Sequence, residues 1–178
     1  LLLVLTKQMF ANQFSNVEQM VPEGEPLVLY AAETALQMHI TELSSSLREI
    51  YVMTYSLPST SEYIYTAVTP KLMKIFSAYM PGAQEKDFYE IDIASSSVTR
   101  GFMAKKCDMY FTMDMKLRRY LSCCFKLFDV PKEDYEPVIE RVLQMDLHSM
   151  AEKIIADTIK KAEAGFETVI AERDAEEQ

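Results

Sequence analysis

The stretch LVLYAAETALQMHITEL (residues 27–43) decides the fold class. Its apolar side chains recur at helical spacing along two adjacent stripes: Leu29, Ala32, Leu36, Ile40 and Leu43 on one, and Val28, Ala31, Ala35 and Met38 on the other. An apolar surface of this width is typical of a helix that packs against the protein interior. The pattern therefore predicts a helix that is buried over most of its circumference.

The rest of the chain also has the features of helices. The sequence contains only 4 Gly and 7 Pro, and no segment alternates apolar and polar residues long enough to start a β-sheet. Stretches rich in Leu, Met, Ala, Glu and Lys favour helices. Helices are predicted at about 47–56, 59–79, 86–107 and 114–128, then after Pro131, and finally over 146–172. The length suits one domain, so we expect a single all-α, multi-helix bundle over residues 1–178.

Local signals place some of the helix boundaries. The three serines at 44–46 interrupt the apolar pattern and can cap the following helix. Ser59 and Glu62 form a capping-box pattern, which predicts a helix start there. Pro70 lies inside that helix and is expected to bend it, because proline has no N–H to donate.

The charge and the cysteines limit the possible partners and location. The chain has 18 Lys and Arg against 27 Asp and Glu, which gives a formal net charge of −9. This balance argues against a large nucleic-acid surface, since such surfaces depend on basic side chains. The three cysteines, Cys107, Cys123 and Cys124, show no disulfide framework. We expect free thiols and a reducing, cytoplasmic location.

The chain begins with LLLVLTKQMF (residues 1–10), an apolar run that could belong to a signal peptide or a membrane anchor. A signal peptide has an apolar stretch of about 7–15 residues and a membrane span about 20, whereas only five aliphatic residues precede Thr6. Apolar residues continue at helical spacing to Val17. We therefore expect an amphipathic helix over 1–20 and no membrane partner.

Sequence motifs for catalysis or metal binding are absent. A di-iron helical bundle needs Glu-x-x-His pairs, and neither His39 nor His148 follows a glutamate at that spacing. The glycines are too dispersed for a phosphate loop or a nucleophile elbow. Cys123 and Cys124 fit buried thiols better than a nucleophile. We expect no enzyme activity, no metal and no cofactor.

Polar residues interrupt the otherwise apolar helix at 27–43. They are Glu33, Thr34, Gln37 and His39. Polar groups among apolar walls are typical of a small-molecule pocket. Tyrosines are frequent around 51–65, and each offers an apolar ring with one hydrogen-bonding tip. From position and chemistry we predict that a partly apolar ligand is bound by Tyr30, Gln37, Tyr55 and Tyr63.

Three segments resemble the effector-binding domain of TetR-type transcriptional regulators. They are LLLVLTKQMF (1–10), LREIYVMTYSLPSTSEYIY (47–65) and FYEIDIASSSVTRGFMAKKCDMYFTMDMKLRRYL (88–121). The resemblance covers nearly the whole chain, but the helix-turn-helix that binds operator DNA is not among these residues. The resemblance implies a ligand-responsive transcriptional repressor. This chain would be the part of it that binds the small molecule. The helix over 1–20 would join it to the DNA-binding head.

The resemblance also implies a homodimer. Two helices within residues 84–129 would pair with their copies in an isologous four-helix bundle. The positions expected at this interface are Ala94, Val98, Gly101, Leu117, Leu121 and Phe125. Operator DNA would be contacted only through the absent head.

A second function is open from the residues alone. Residues 131–178 supply additional C-terminal helices, and the last one has apolar residues in steps of four and three, from Ile155 through Ile159 to Val169. Its other face mixes acidic and basic side chains. This pattern is also typical of a stand-alone protein–protein interaction module that docks partner helices.

Overall fold

The computed structural model of the chain describes residues 25–176 and, ahead of them, isolated positions that include Val17 and Val21; side chains are described as far as residue 161. The helix predicted over 1–20 therefore lies outside the described residues, apart from those positions. In the described part the chain forms seven α-helices and no β-strand, which confirms the all-α prediction. The helices are α1 (Pro26–Leu43), α2 (Ser45–Thr54), α3 (Pro58–Phe76), α4 (Glu85–Ala104), α5 (Met113–Leu127), α6 (Lys132–Leu143) and α7 (Leu147–Glu176).

Helix α1 lies at the centre of the fold. Eleven of its 18 residues are buried, and it contacts each of the other six described helices. Pro26 occupies its first turn, where a missing N–H leaves no helical hydrogen bond unmade. Ser44 ends the helix and starts the next, since its hydroxyl accepts the N–H of Leu47 at 3.1 Å. The broad apolar surface of α1 thus reflects neighbours on nearly all sides.

The start of α3 differs from the capping box predicted from Ser59 and Glu62. The helix begins at Pro58 with no side-chain cap, because proline has a helical φ and no N–H that needs an acceptor. The Glu62 carboxylate instead accepts a hydrogen bond from the hydroxyl of Tyr89 on α4 at 3.0 Å. From there α3 continues through Pro70 without a break in the helix.

An aromatic cluster forms one end of the core. Phe76 of α3 and Phe128, just after α5, stack with ring centroids 4.1 Å apart and planes 3° apart. Tyr30 of α1 meets Phe76 edge-on at 5.0 Å, and Phe125 lies parallel to Tyr135 of α6 at 5.7 Å. These contacts join four helices through rings that are buried almost completely.

Three residues predicted at the dimer interface lie inside the protomer instead. Leu117, Leu121 and Phe125 of α5 are at most 2% exposed in the single chain. An interface residue must be accessible before the partner binds, so these side chains belong to the core of one protomer. The residues that cover this stripe of α5 belong to the other helices of the same chain.

The other three positions predicted at the dimer interface lie on α4. Ala94 and Gly101 are exposed, and Val98 is half-buried. A Cβ added at Gly101 would meet no atom within 4 Å, so the protein has open space beside this residue. A dimer contact through this face of α4 stays a prediction.

Candidate ligand-binding cavity

A partly enclosed cavity lies among α1, α3 and α4. Tyr55, just after α2, and Tyr120 of α5 also line it. Measured as the space open to the centre of a water-sized molecule, its volume is about 50 Å³. One water needs roughly 10–15 Å³ by this measure, so the cavity has room for a small polar group. A larger ligand requires side chains to move.

One wall of the cavity is apolar and comes from α3. Its side chains recur every three or four residues, which places them on one face of the helix. They are Ile64, Val68, Leu72 and Ile75. This stripe gives the cavity an apolar surface opposite α1 and α4.

The remaining wall is polar, and its hydroxyl groups form hydrogen bonds within the protein. The hydroxyl of Tyr55, which follows α2, donates to Oε1 of Gln37 at 2.9 Å. Thr99 Oγ1 donates to the carbonyl oxygen of Ser95 at 2.9 Å. The hydroxyls of Tyr120 and Thr99 lie 3.0 Å apart and share a hydrogen bond. Each of these three hydroxyls therefore has a hydrogen-bond partner within the protein.

Asp92 of α4 is the least satisfied group in the lining. Its side chain is 3% exposed. Oδ1 accepts hydrogen bonds from Ser95 at 2.9 Å and, more weakly, from Ser96 at 3.4 Å. Oδ2 is buried and accepts none from any residue that the structure describes. Burial raises the pKa of Asp92 to about 6, although the two serine hydroxyls oppose the shift.

Glu33 of α1 adds a second buried carboxyl to the cavity. Burial raises its pKa to about 8, and the positive charge of Lys71 on α3 partly opposes this shift. At neutral pH Glu33 is thus mostly protonated, whereas Asp92 is mostly ionised. Lys71 also lines the cavity but is exposed, which places its ammonium group at the rim.

The structure brings together three of the four residues predicted to bind a ligand. Tyr30, Gln37 and Tyr55 all line the cavity. Tyr63 does not; it is half-buried, and the Lys7 ammonium group lies 5.1 Å from the centre of its ring. The sequence therefore located the cavity on α1 and near the end of α2, while the predicted ligand contacts stay a prediction.

Sequence reasoning missed the contribution of α4. From this helix the sequence analysis assigned only Ala94, Val98 and Gly101, and it assigned them to a dimer interface. A usable signal was present, since an aspartate with serines three and four positions later can be hydrogen-bonded within one helix. Only the packing of α4 against α1 and α3 shows that this group lies in a cavity.

A third acidic side chain, Glu42, lies outside the cavity and has different surroundings. Glu42, at the end of α1, accepts from the Nζ of Lys116 at 2.7 Å and from Arg48 at 3.3 Å. It also accepts the N–H of Cys107 at 3.2 Å. Burial alone would raise its pKa, but the ion pair with Lys116 and these other donors hold the pKa of Glu42 below its usual value. This cluster connects α1, α2, α5 and the segment after α4.

The described residues offer little for other kinds of site. His39 and His148 lie with their rings 6.1 Å apart, and burial lowers the pKa of His39 to about 4. No group of three or more His, Cys, Asp and Glu within the described part is arranged to hold a metal ion. Cys107, Cys123 and Cys124 are free thiols. Among the described helices, none combines the length and apolar composition needed to cross a membrane.

Comparisons of the chain with protein-family models, with curated proteins and with solved structures found no match. The resemblance to TetR-type regulators is therefore not confirmed. In its described part, the chain is an all-helical protein of seven helices with a cavity that is polar on one side and apolar on the other.

Proposed function

We propose that this chain is a small-molecule-sensing domain and that its ligand binds in the cavity among α1, α3 and α4. The observation that carries the proposal is the lining of this cavity: an apolar wall from α3 faces hydrogen-bonding side chains from α1 and α4. Ligand sites combine apolar walls with a few placed polar groups in this way.

The position of the cavity supports a sensing role. A ligand there would contact α1, and α1 in turn contacts each of the other described helices. The small volume means that a larger ligand must separate α3 from α1 or α4. A ligand that favours the separated arrangement shifts the population of conformations by its difference in affinity for the two.

The resemblance to TetR-type regulators extends this proposal to transcription. In that case the chain is the dimerising part of a ligand-responsive regulator, and operator DNA is bound by a helix-turn-helix that these residues do not contain. The exposed face of α4 with Ala94 and Gly101 is the part of the predicted interface that remains accessible. Sedimentation equilibrium tests this extension: a dimer is expected, and a monomer at high concentration would contradict it.

The cavity itself is tested by filling it. We expect ligand-observed NMR with a set of metabolite-sized compounds of mixed charge to identify binders of the native chain. Val68→Trp, which fills the cavity from the α3 wall, should abolish their binding. Met73→Trp is the matched control, because Met73 is exposed on the same helix and does not line the cavity. Binding that is equally strong in both variants would place the ligand elsewhere.

An interaction module is the second candidate, and one observation favours it. Ile159 of α7 is 52% exposed, whereas Leu147, Ala151 and Ile154 on the same helix are buried. The first part of α7 thus belongs to the core, and an apolar residue further along is left uncovered. Ile159→Lys should abolish binding of partner helices and leave the fold intact if this function is correct. Unchanged partner binding would contradict it.

A further inference from the structure

The cavity carries a chemical bias toward one class of ligand. Oδ2 of Asp92 is a buried acceptor with no donor among the described residues. A buried carboxylate oxygen left in this state is costly, since it has lost its water without gaining a hydrogen bond. A positively charged ligand group with an N–H would supply the missing hydrogen bond. Its charge would also offset the cost of burying the carboxylate away from water.

The neighbouring hydroxyls cannot take that place. Those of Tyr55 and Thr99 already donate to other groups, and Thr34 donates to the carbonyl oxygen of Tyr30 at 2.9 Å. The hydroxyl of Tyr120 shares a hydrogen bond with Thr99. None of these hydroxyls donates to Oδ2 of Asp92, so a donor on the ligand can take that place.

We infer that the ligand is a small organic cation, a protonated amine with N–H donors and a short apolar group, and that Asp92 binds its nitrogen. This inference rests on the proposed function of the cavity. The apolar group would lie against Ile64 and Leu72 of α3, on the opposite wall.

Lys71 and Glu33 also line the cavity, and their charges affect the binding of a cation. The ammonium group of Lys71 would repel a cation, but it is exposed at the rim, where water screens it. Asp92 is buried, so its attraction is screened less. Glu33 is mostly protonated at pH 7, and a bound cation would favour its ionised form, which adds to the attraction.

The experiment uses three probes of matched shape: n-propylammonium, 1-propanol and propionate. Binding is followed at pH 7 through the methyl NMR signals of Ile64 and Leu72. We expect n-propylammonium to bind most tightly. Asp92→Asn should weaken its binding by about 30-fold or more, as loss of one member of a buried charge pair does. Glu90→Gln, on the exposed side of the same helix, should leave it unchanged.

The neutral probe separates a lost charge from a damaged fold. Asp92→Asn should bind 1-propanol within threefold of the native chain, since the amide has the shape of the carboxylate. If 1-propanol or propionate binds the native chain as tightly as n-propylammonium, the cation inference is wrong and the cavity still binds ligands. If none of the three shifts the methyl signals, the inference is likewise overturned; the compound screen and Val68→Trp then decide separately whether the cavity binds small molecules.

Discussion

Glu42 and Asp92 are both acidic side chains in the interior, yet their surroundings are opposite. Glu42 accepts hydrogen bonds from two basic side chains and a backbone N–H, and its pKa is held below the usual value. Asp92 receives two serine hydroxyls on one oxygen and none from the described residues on the other, and its pKa is raised. One carboxylate is satisfied by the fold, and the other is not.

The difference separates a structural role from a binding role. The donors of Glu42 come from three different parts of the chain, so its charge holds these parts to the end of α1. Asp92 holds only its own helix, since both of its donors are on α4. A buried polar group that lowers stability and is not compensated by contacts within the protein is typical of a functional site.

Removal of the Glu42 carboxylate should have the largest effect. Glu42→Ala leaves the ammonium group of Lys116, which is 0% exposed, without its anion. We expect a loss of about 3–5 kcal/mol in the free energy of unfolding, measured by urea denaturation. The double variant Glu42→Ala with Lys116→Met should recover most of this loss, because it removes the buried charge. A loss below about 1 kcal/mol in the single variant would mean that Glu42 is not structural.

Glu33→Gln should stabilise the protein. The pKa of Glu33 is about 8 in the folded chain and near 4.5 in the unfolded one. The native chain therefore loses stability as the pH rises from about 4.5 to about 8, because ionisation favours the unfolded state. At pH 8 we expect Glu33→Gln to be more stable than the native chain by about 4 kcal/mol, and at pH 4 to equal it. If the variant and the native chain are equally stable at pH 8 as well as at pH 4, Glu33 is solvated in the folded protein.

Asp92→Asn should also stabilise the protein while it weakens cation binding. The folded pKa of about 6 exceeds the ordinary value of 3.8, so the native chain loses stability as the pH rises from about 4 to about 6. At pH 7 we expect a gain of about 2 kcal/mol, less than the full pKa shift implies, because the new amide N–H groups also lack acceptors. Thermal unfolding at pH 4 and pH 7 checks this. Destabilisation at pH 7 would give Asp92 a structural role like that of Glu42.

The smallest effect is expected for an ion pair on the surface. Arg118 of α5 bonds to Asp114 at 2.8 Å and also to Glu140 of α6, and all three side chains are largely exposed. Water and salt screen such pairs, so Arg118→Ala should leave the urea midpoint unchanged within error. A clear loss would show that exposed charges contribute to stability here as much as the Glu42 cluster does.

The sequence was informative wherever a local pattern decides the structure. The apolar stripes of residues 27–43 predicted a deeply buried helix, and α1 is one because those side chains have to leave water. Tyr30, Gln37 and Tyr55 were predicted together and line one cavity. The start of α3 was the local exception, since Pro58 made the expected capping box unnecessary.

Tertiary structure alone decided what each buried face touches. The stripe of Leu117, Leu121 and Phe125 showed that one side of α5 is covered, but helical spacing is the same whether the cover is a second copy or the chain's own core. Likewise, Asp92 is an ordinary helical aspartate until α1 and α3 enclose it. Periodicity depends on neighbours in sequence, and so the sequence by itself determined the helices and their apolar faces. Burial, unpaired oxygens and shifted pKa values depend on neighbours in space, so the packing of the seven described helices determined them.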